Sequence, residues 1–93
     1  MTFSQETIDN IASLAADLTP PGDIAAILDL DADVLRTELA MKHSPVRRAY
    51  LKAKAETAHM LRHQELELAR VGSPLAVQLT GAYLRDMTSD EDF

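Results

Sequence analysis

The sequence predicts an all-α fold, in which an N-terminal three-helix helix-turn-helix region is followed by a long helix and a shorter C-terminal helix. Apolar residues recur at helical spacing through most of the 93 residues. Ser and Asp residues stand where helices would begin, with Pro at several first-turn positions, and Gly or Pro stands where helices would end.

Residues 4–18 are expected to form the first helix. Its apolar side chains fall at i, i+3, i+7 and i+10, the spacing of one helix face: Ile8, Ile11, Ala15 and Leu18. Ser4 can cap the start of this helix. The segment Pro20-Pro21-Gly22 ends it, because proline cannot continue the ladder of backbone hydrogen bonds.

Two short helices are expected next, around residues 21–28 and 32–41, with Asp31 as N-cap of the second. Ala25 lies four residues before Asp29, where close helix crossing favours a small side chain, and Leu35 would anchor the third helix in the core. Two short helices joined by a turn of about three residues are typical of a helix-turn-helix. An ordinary helical hairpin without a DNA function fits the same pattern.

The long helix is expected from Ser44, a good N-cap followed by Pro45, to Gly72. At 100° per residue its apolar side chains form two seams. The first would face the core: Val46, Ala49, Tyr50, Ala53, Met60, Leu61, Leu68 and Val71. The second predicts an oligomer interface: Leu51, Ala55, Ala58, Leu66 and Ala69. Alanine on an ordinary exposed helix face is the alternative.

Charge is strongly partitioned along a chain whose net charge is −6. Residues 1–35 contain seven acids and no Lys or Arg, whereas residues 36–70 contain eight of the nine Lys and Arg residues. A polyanion would therefore be tolerated only along the middle of the chain. The exposed face of the third helix is acidic, so phosphate contact is expected mainly at the start of the long helix. The candidate DNA-binding residues are Arg36, Thr37, Lys42, Arg47, Arg48 and Lys52.

A last amphipathic helix would fold back on the long one through Leu75, Ala76, Leu79, Tyr83, Leu84 and Met87. Residues 88–93 would form an acidic flexible tail, for which a docking peptide is the alternative. Within one compact domain we thus expect a helix-turn-helix region at 1–43, an oligomerising helix pair at 44–87 and the tail.

No catalytic motif is present, since the three glycines are isolated and the chain has no cysteine. His59 and His63 are four residues apart on a helix, but no third ligand is placed by the pattern, so no metal site is expected. We predict a protein that is not an enzyme and needs no cofactor. A secretory signal and a membrane-length apolar run are not found, which favours a cytoplasmic protein without membrane contact.

Several short motifs together resemble phage terminase small subunits and related phage helix-turn-helix proteins that bind DNA during genome packaging. They are Leu18-Thr19-Pro20 before residues 23–28, the turn and anchor from Leu30 to Leu35, the Arg/Lys/Ala-rich segment 50–70, and Gly72-Ser73-Pro74-Leu75-Ala76. Asp29 departs from the resemblance, because glycine is common at that turn position.

The resemblance implies a non-catalytic protein, phage or prophage encoded and acting in the bacterial cytoplasm. Such a protein binds duplex DNA as a homo-oligomer, often a ring, and hands the DNA to a large terminase subunit. The alternative is a helical protein–protein interaction or oligomerisation module that has kept the helix-turn-helix architecture without DNA binding. The acidic third helix favours this alternative.

Overall fold

The computed structural model describes residues 3–72 and 74–93, and the side chains of residues 74–80 lie outside that description. The described residues form five helices and no strand, so the all-α prediction is confirmed. The helices are α1 (Gln5–Ala16), α2 (Pro21–Leu28), α3 (Ala32–Ala40), α4 (Pro45–Arg70) and α5 (Pro74–Ser89).

Three of the expected N-caps are present. The hydroxyl of Ser4 accepts a hydrogen bond from the backbone N–H of α1, and the Asp31 carboxylate accepts two from α3. Ser44 does the same at α4 and also donates its hydroxyl proton to the buried carboxylate of Glu38, at 3.0 Å. Each cap satisfies N–H groups that have no partner inside the helix. Ser73 precedes Pro74 as Ser44 precedes Pro45, which predicts the same kind of cap, but Ser73 lies outside the described residues.

The core lies where α1, α2 and α3 meet the first half of α4. Its fully buried side chains are Ile11, Ile24, Leu35, Leu39, Val46, Tyr50 and Met87. Ala25 is also buried, as the predicted close approach of α2 and α3 requires. Of the apolar face predicted for α5, Met87 is buried and Leu84 packs on the core, but Tyr83 is 59% exposed. The side chains of Leu75, Ala76 and Leu79 lie outside the described ones.

The turn between α2 and α3 consists of residues 29–31. Asp29 adopts the left-handed conformation at φ 55°, and the N–H of Leu30 donates to the Ala25 carbonyl oxygen at 2.8 Å. This geometry is the common helix ending in which glycine is favoured. The turn therefore has the conformation suited to the glycine that the resemblance led us to expect, although aspartate occupies it.

The second half of α4 differs from the prediction. Met60 and Val71 were expected in the core but are 51% and 76% exposed, while Ala58 was expected at an oligomer interface but is only 5% exposed. The reason is the reach of α1, which ends beside Thr57: the Thr57 hydroxyl donates to the Ala16 carbonyl oxygen at 2.6 Å. Leu61, one turn further along α4, is still packed against the core but is only partly buried.

The molecule is consequently elongated, with extents of 48 × 21 × 18 Å and a radius of gyration of 14.4 Å. A compact domain of this length has a radius of gyration of about 12 Å. The far half of α4 extends beyond the core that α1, α2 and α3 form with its first half.

Candidate nucleic-acid interface

One face of α4 is exposed over most of its length, and we call it the outer face. At 100° per residue its members fall within an arc of about 120°, and it extends for roughly 33 Å. It consists of Arg48, Leu51, Lys52, Ala55, His59, Arg62, His63, Leu66, Ala69 and Arg70, all exposed. No acidic residue lies within it. Glu56 and Glu67 flank it and pair with Lys52 at 3.8 Å and Arg70 at 2.9 Å.

Three of the predicted DNA-binding residues are available to a polyanion at the core end of the molecule. Lys42, Arg48 and Lys52 are exposed, and the only ion pair of the three among the described residues is the long one between Lys52 and Glu56. Pairs between two such exposed groups are weak and are screened by salt. These cations can therefore exchange their present surroundings for phosphate at little cost.

The other three predicted residues are engaged within the chain. Arg47 donates to the Leu39 carbonyl oxygen at 2.7 Å and so satisfies one of the unpaired carbonyls at the end of α3. The Thr37 hydroxyl donates to the Asp33 carbonyl oxygen at 2.8 Å. Arg36 is bound by acidic residues that follow α5, as described below. These three side chains have structural partners that the sequence did not reveal.

The exposed face of α3 is acidic, as predicted. Asp31 accepts from the N–H groups of Asp33 and Val34 at 2.8 and 3.0 Å, so its carboxylate is held at the start of the helix. Asp33 in the first turn is also exposed. A fixed pair of carboxylates repels phosphate, which makes the start of α3 unsuited to entering a DNA groove.

Four of the five residues predicted at an oligomer interface are exposed. Leu51, Ala55, Leu66 and Ala69 lie on the outer face, whereas Ala58 is removed from it by burial in the core. Leu66 is 62% exposed and lines a groove of about 440 Å³ with Arg62, Glu65 and Ala69. The apolar part of the outer face is therefore concentrated at its projecting end.

Residues 90–93, which we call the tail, lie in a set of groups from α2, α3 and α4 that we call the cradle. The cradle consists of the Gly22 N–H and the side chains of Arg36, Arg47, Tyr50 and Lys54. Asp90 Oδ2 accepts from the Gly22 N–H at 2.7 Å, and its Oδ1 accepts from Arg36 at 3.1 Å. Arg36 donates further to the Asp90 carbonyl oxygen at 2.7 Å and to Asp92 Oδ1 at 2.5 Å.

The remaining tail residues are held by α4. One oxygen of Glu91 accepts from the Tyr50 hydroxyl at 2.6 Å, and the other accepts from Lys54 Nζ at 2.5 Å. The Phe93 ring meets the Tyr50 ring edge-on, with centroids 5.9 Å apart, and the Arg47 guanidinium carbon lies 5.9 Å from the Phe93 centroid. Every tail residue therefore contacts the helical body.

These contacts perturb two ionisable groups. Desolvation lowers the pKa of Arg36, but the hydrogen bond with Asp90 and the charges of Asp90 and Asp92 outweigh it, so that the pKa is raised. Burial raises the pKa of Tyr50 above its ordinary value of 10.0, and the hydrogen bond to Glu91 and the charge of Glu91 raise it further. Both shifts favour the protonated groups that hold the tail.

The structure thus differs from the expectation of a flexible tail at residues 88–93. Helix α5 continues to Ser89, and the residues beyond it are bound. A signal for this was present in the sequence: α2 begins at Pro20-Pro21-Gly22, without a side chain able to cap it. Asp90 supplies the missing cap from a distant part of the chain, which no local pattern could assign.

Other expectations concern sites and partners. In the part of the chain that the structure describes, no three His, Asp or Glu side chains come together as they would around a metal ion. No helix there has the length and apolarity needed to cross a bilayer. Comparison with protein-family models, with curated proteins and with solved structures found no significant match to this chain.

Proposed function

We propose that this protein is a non-catalytic DNA-binding protein of the phage terminase small-subunit type, which oligomerises and recognises duplex DNA for genome packaging. The observation that carries the proposal is the outer face of α4, a continuous exposed surface with Lys, Arg and His side chains and no acidic residue. A phosphate backbone is attracted to such a stripe even when the net charge of the protein is negative.

Two parts of the outer face have different roles in this proposal. Near the core, Arg48 and Lys52 of the outer face contact phosphates together with Lys42, which precedes α4. At the projecting end, the groove beside Leu66 accepts the same segment of a second copy, because an exposed leucine beside the small side chain of Ala69 allows close helix approach. A single surface can then bind DNA and build the oligomer without competition between the two tasks.

The acidic start of α3 supports phosphate contact through α4 rather than base reading through the third helix. The α2–α3 pair has the length and turn of a helix-turn-helix. Its role here is to hold the first turns of α4 in place, since Arg47 binds the end of α3 and Glu38 binds Ser44. By resemblance, the assembled protein would pass DNA to a large terminase subunit.

A salt titration of binding to duplex DNA tests the proposal. The slope of log K against log salt changes by about 0.9 for each phosphate contact. Arg48→Gln with Lys52→Gln removes two proposed contacts, so the slope should flatten by about 1.8. The matched control is Arg70→Gln with Arg85→Gln, which makes the same change of charge at two exposed residues outside the proposed phosphate contacts and outside the lining of the groove.

The control pair should leave the slope unchanged. Equal flattening in both pairs would show only a general effect of net charge and would remove the assigned contacts. Absence of binding by the wild-type protein and by the variants at low salt would remove DNA binding itself.

A second candidate function is a helical protein–protein interaction module. It is favoured by the exposed face of α2 and α3, which combines acids with the 61% exposed side chain of Ile27. Loss of the DNA function in the titration, with self-association retained, would select this alternative.

A further inference from the structure

The charges of the tail and the cradle are complementary. The three consecutive acids of the tail are Asp90, Glu91 and Asp92, and two cations of the cradle, Arg36 and Lys54, pair with them. The third cation, Arg47, faces the Phe93 ring. Arg36 contacts two of the carboxylates, and Lys54 contacts the third. The cradle is therefore a built anion-binding site that is occupied by the protein's own chain.

The ligands of such a site need not be carboxylates. A guanidinium presents the same fork of N–H groups to a carboxylate and to a phosphate, and a lysine ammonium binds either one. Successive acids along a tail place negative charges at intervals of several ångströms, as a nucleic-acid strand does. The chemistry that holds residues 90–93 is thus also suited to a phosphate backbone.

We propose that the tail is an intramolecular competitor of DNA: docked, it withholds Arg36 and Lys54, and released, it opens the cradle to phosphates of duplex DNA. This inference rests on the proposed function and adds a means of regulating it. Arg47 adjoins Arg48 in the chain, so the cradle extends the phosphate-binding cations of α4 around the helix. An acidic protein can in this way keep its affinity for DNA low until DNA displaces the tail.

The strength of docking is compatible with release. Arg36 and Lys54 retain side-chain exposure of 26% and 18%, and the Asp92 side chain is 74% exposed. The ion pair of Arg36 with the exposed Asp92 is worth little and depends on salt, whereas the Glu91 side chain that pairs with Lys54 is only 13% exposed. Residues 90–93 lie beyond the last turn of α5, so their departure unfolds no turn of that helix, although α2 loses the cap that Asp90 provides.

The test compares DNA binding by the wild-type protein, a tail-neutral variant and a control of equal charge. The tail-neutral variant is Glu91→Gln with Asp92→Asn, which keeps the shape of both side chains. The control is Glu6→Gln with Asp9→Asn, two exposed acids of α1 that do not contact the cradle. Thermal unfolding followed by circular dichroism verifies that all three proteins are folded.

The tail-neutral variant should bind DNA more tightly than the control and with a steeper salt dependence. Among the described residues, Lys54 loses its only ion pair in this variant, whereas Arg36 keeps Asp90, so one to two additional phosphate contacts are expected. They would steepen the slope by about 0.9 to 1.8, and affinity would fall about a further three- to tenfold between 50 and 200 mM salt. Asp92→Asn alone, at an exposed side chain that cannot threaten folding, should give a smaller change in the same direction.

The outcomes separate the competitor role of the tail from DNA binding itself. Equal behaviour of the tail-neutral and control proteins, with DNA still bound, overturns the competitor role and leaves the proposed function standing. Binding by the tail-neutral variant alone supports the competitor role and assigns DNA binding to the released form. Absence of binding by every protein overturns both.

Discussion

The two halves of α4 belong to one helix but to different environments. Residues 45–58 include Val46, Tyr50 and Ala58, all buried, whereas residues 59–70 include no buried residue. Large apolar side chains occur in both halves, so composition does not explain the difference. Helix α4 is about 39 Å long and α1 only about 18 Å, and α1 ends beside Thr57. Burial thus depends on how far the neighbouring helix reaches.

The largest expected effect comes from making the same substitution, leucine to alanine, in the core and on the projecting half of α4. Leu39→Ala removes a fully buried side chain from the core beside α4 and should lower the free energy of unfolding by about 2 to 5 kcal/mol. Leu66→Ala, on the projecting half, should change it by less than about 0.5 kcal/mol in the monomer. Urea unfolding measures both values.

Leu66→Ala has a second expected effect, because the proposed oligomer contact contains this side chain. Self-association measured by light scattering should weaken in Leu66→Ala. A wild-type monomer at micromolar concentration would remove the oligomer proposal, and a large loss of monomer stability in Leu66→Ala would show that the projecting half is packed after all.

A smaller effect is expected at Tyr50, where the packed half of α4 meets the tail. Tyr50→Phe removes the hydrogen bond to Glu91 and should cost about 1 to 2 kcal/mol at neutral pH. Tyr83→Phe is the matched control on an exposed side chain and should cost less than about 0.5 kcal/mol. Equal costs would contradict the docked tail.

The Tyr50→Phe variant should also differ from the wild-type protein in how its free energy of unfolding depends on pH. The folded-state pKa of Tyr50 lies above 10.0, so above pH 10 the unfolded chain releases a proton that the folded chain keeps. The stability provided by the protonated hydroxyl is therefore complete below pH 10 and is lost as pH rises further. Above pH 10 the free energy of unfolding should therefore fall less steeply in Tyr50→Phe than in the wild-type protein, by up to about 1.4 kcal/mol per pH unit. If the free energy of unfolding fell equally steeply with pH in both proteins, the raised pKa of Tyr50 would be contradicted.

The smallest effects concern two residues in the left-handed conformation, one at each end of the molecule. Asp29→Gly, in the packed region, should raise stability by a few tenths of a kcal/mol, because glycine adopts φ 55° without steric cost. Gly72→Ala, at the projecting end, introduces comparable strain at φ 76°, and among the described residues that are not its chain neighbours none has an atom within 4 Å of the new methyl group.

We expect Gly72→Ala to change the urea midpoint less than Asp29→Gly does, since a projecting segment can relax locally. A decrease of about 1 kcal/mol in the free energy of unfolding of Gly72→Ala would instead show that the projecting end unfolds together with the core.

Local chemistry accounts for most of what could be predicted. The helix starts at Ser4, Asp31 and Ser44 follow from cap side chains acting within one turn of the chain. The burial of Ala25 and Leu35 follows from their positions around a three-residue turn. Such features depend on neighbours a few residues apart, which a single sequence displays.

The candidate site was predicted only in part, because it depends on residues that are far apart in the chain. Arg36 carries the right charge for DNA, but its partners Asp90 and Asp92 are more than 50 residues away, and their pairing depends on the folded arrangement. Ala58 belongs to an alanine seam by angle, yet it is buried because another helix covers it. Neither the pairing of Arg36 nor the burial of Ala58 can be predicted from the spacing of residues in the sequence.

The sequence by itself determined the helical class, the caps, the turn between α2 and α3 and the partition of charge, because each arises from residues close together in the chain. The tertiary structure alone decided which half of α4 is buried, which cations stay exposed on the outer face and where the tail binds. Those features depend on the relative reach of helices and on contacts between distant residues, whose free energies exist only in the folded chain.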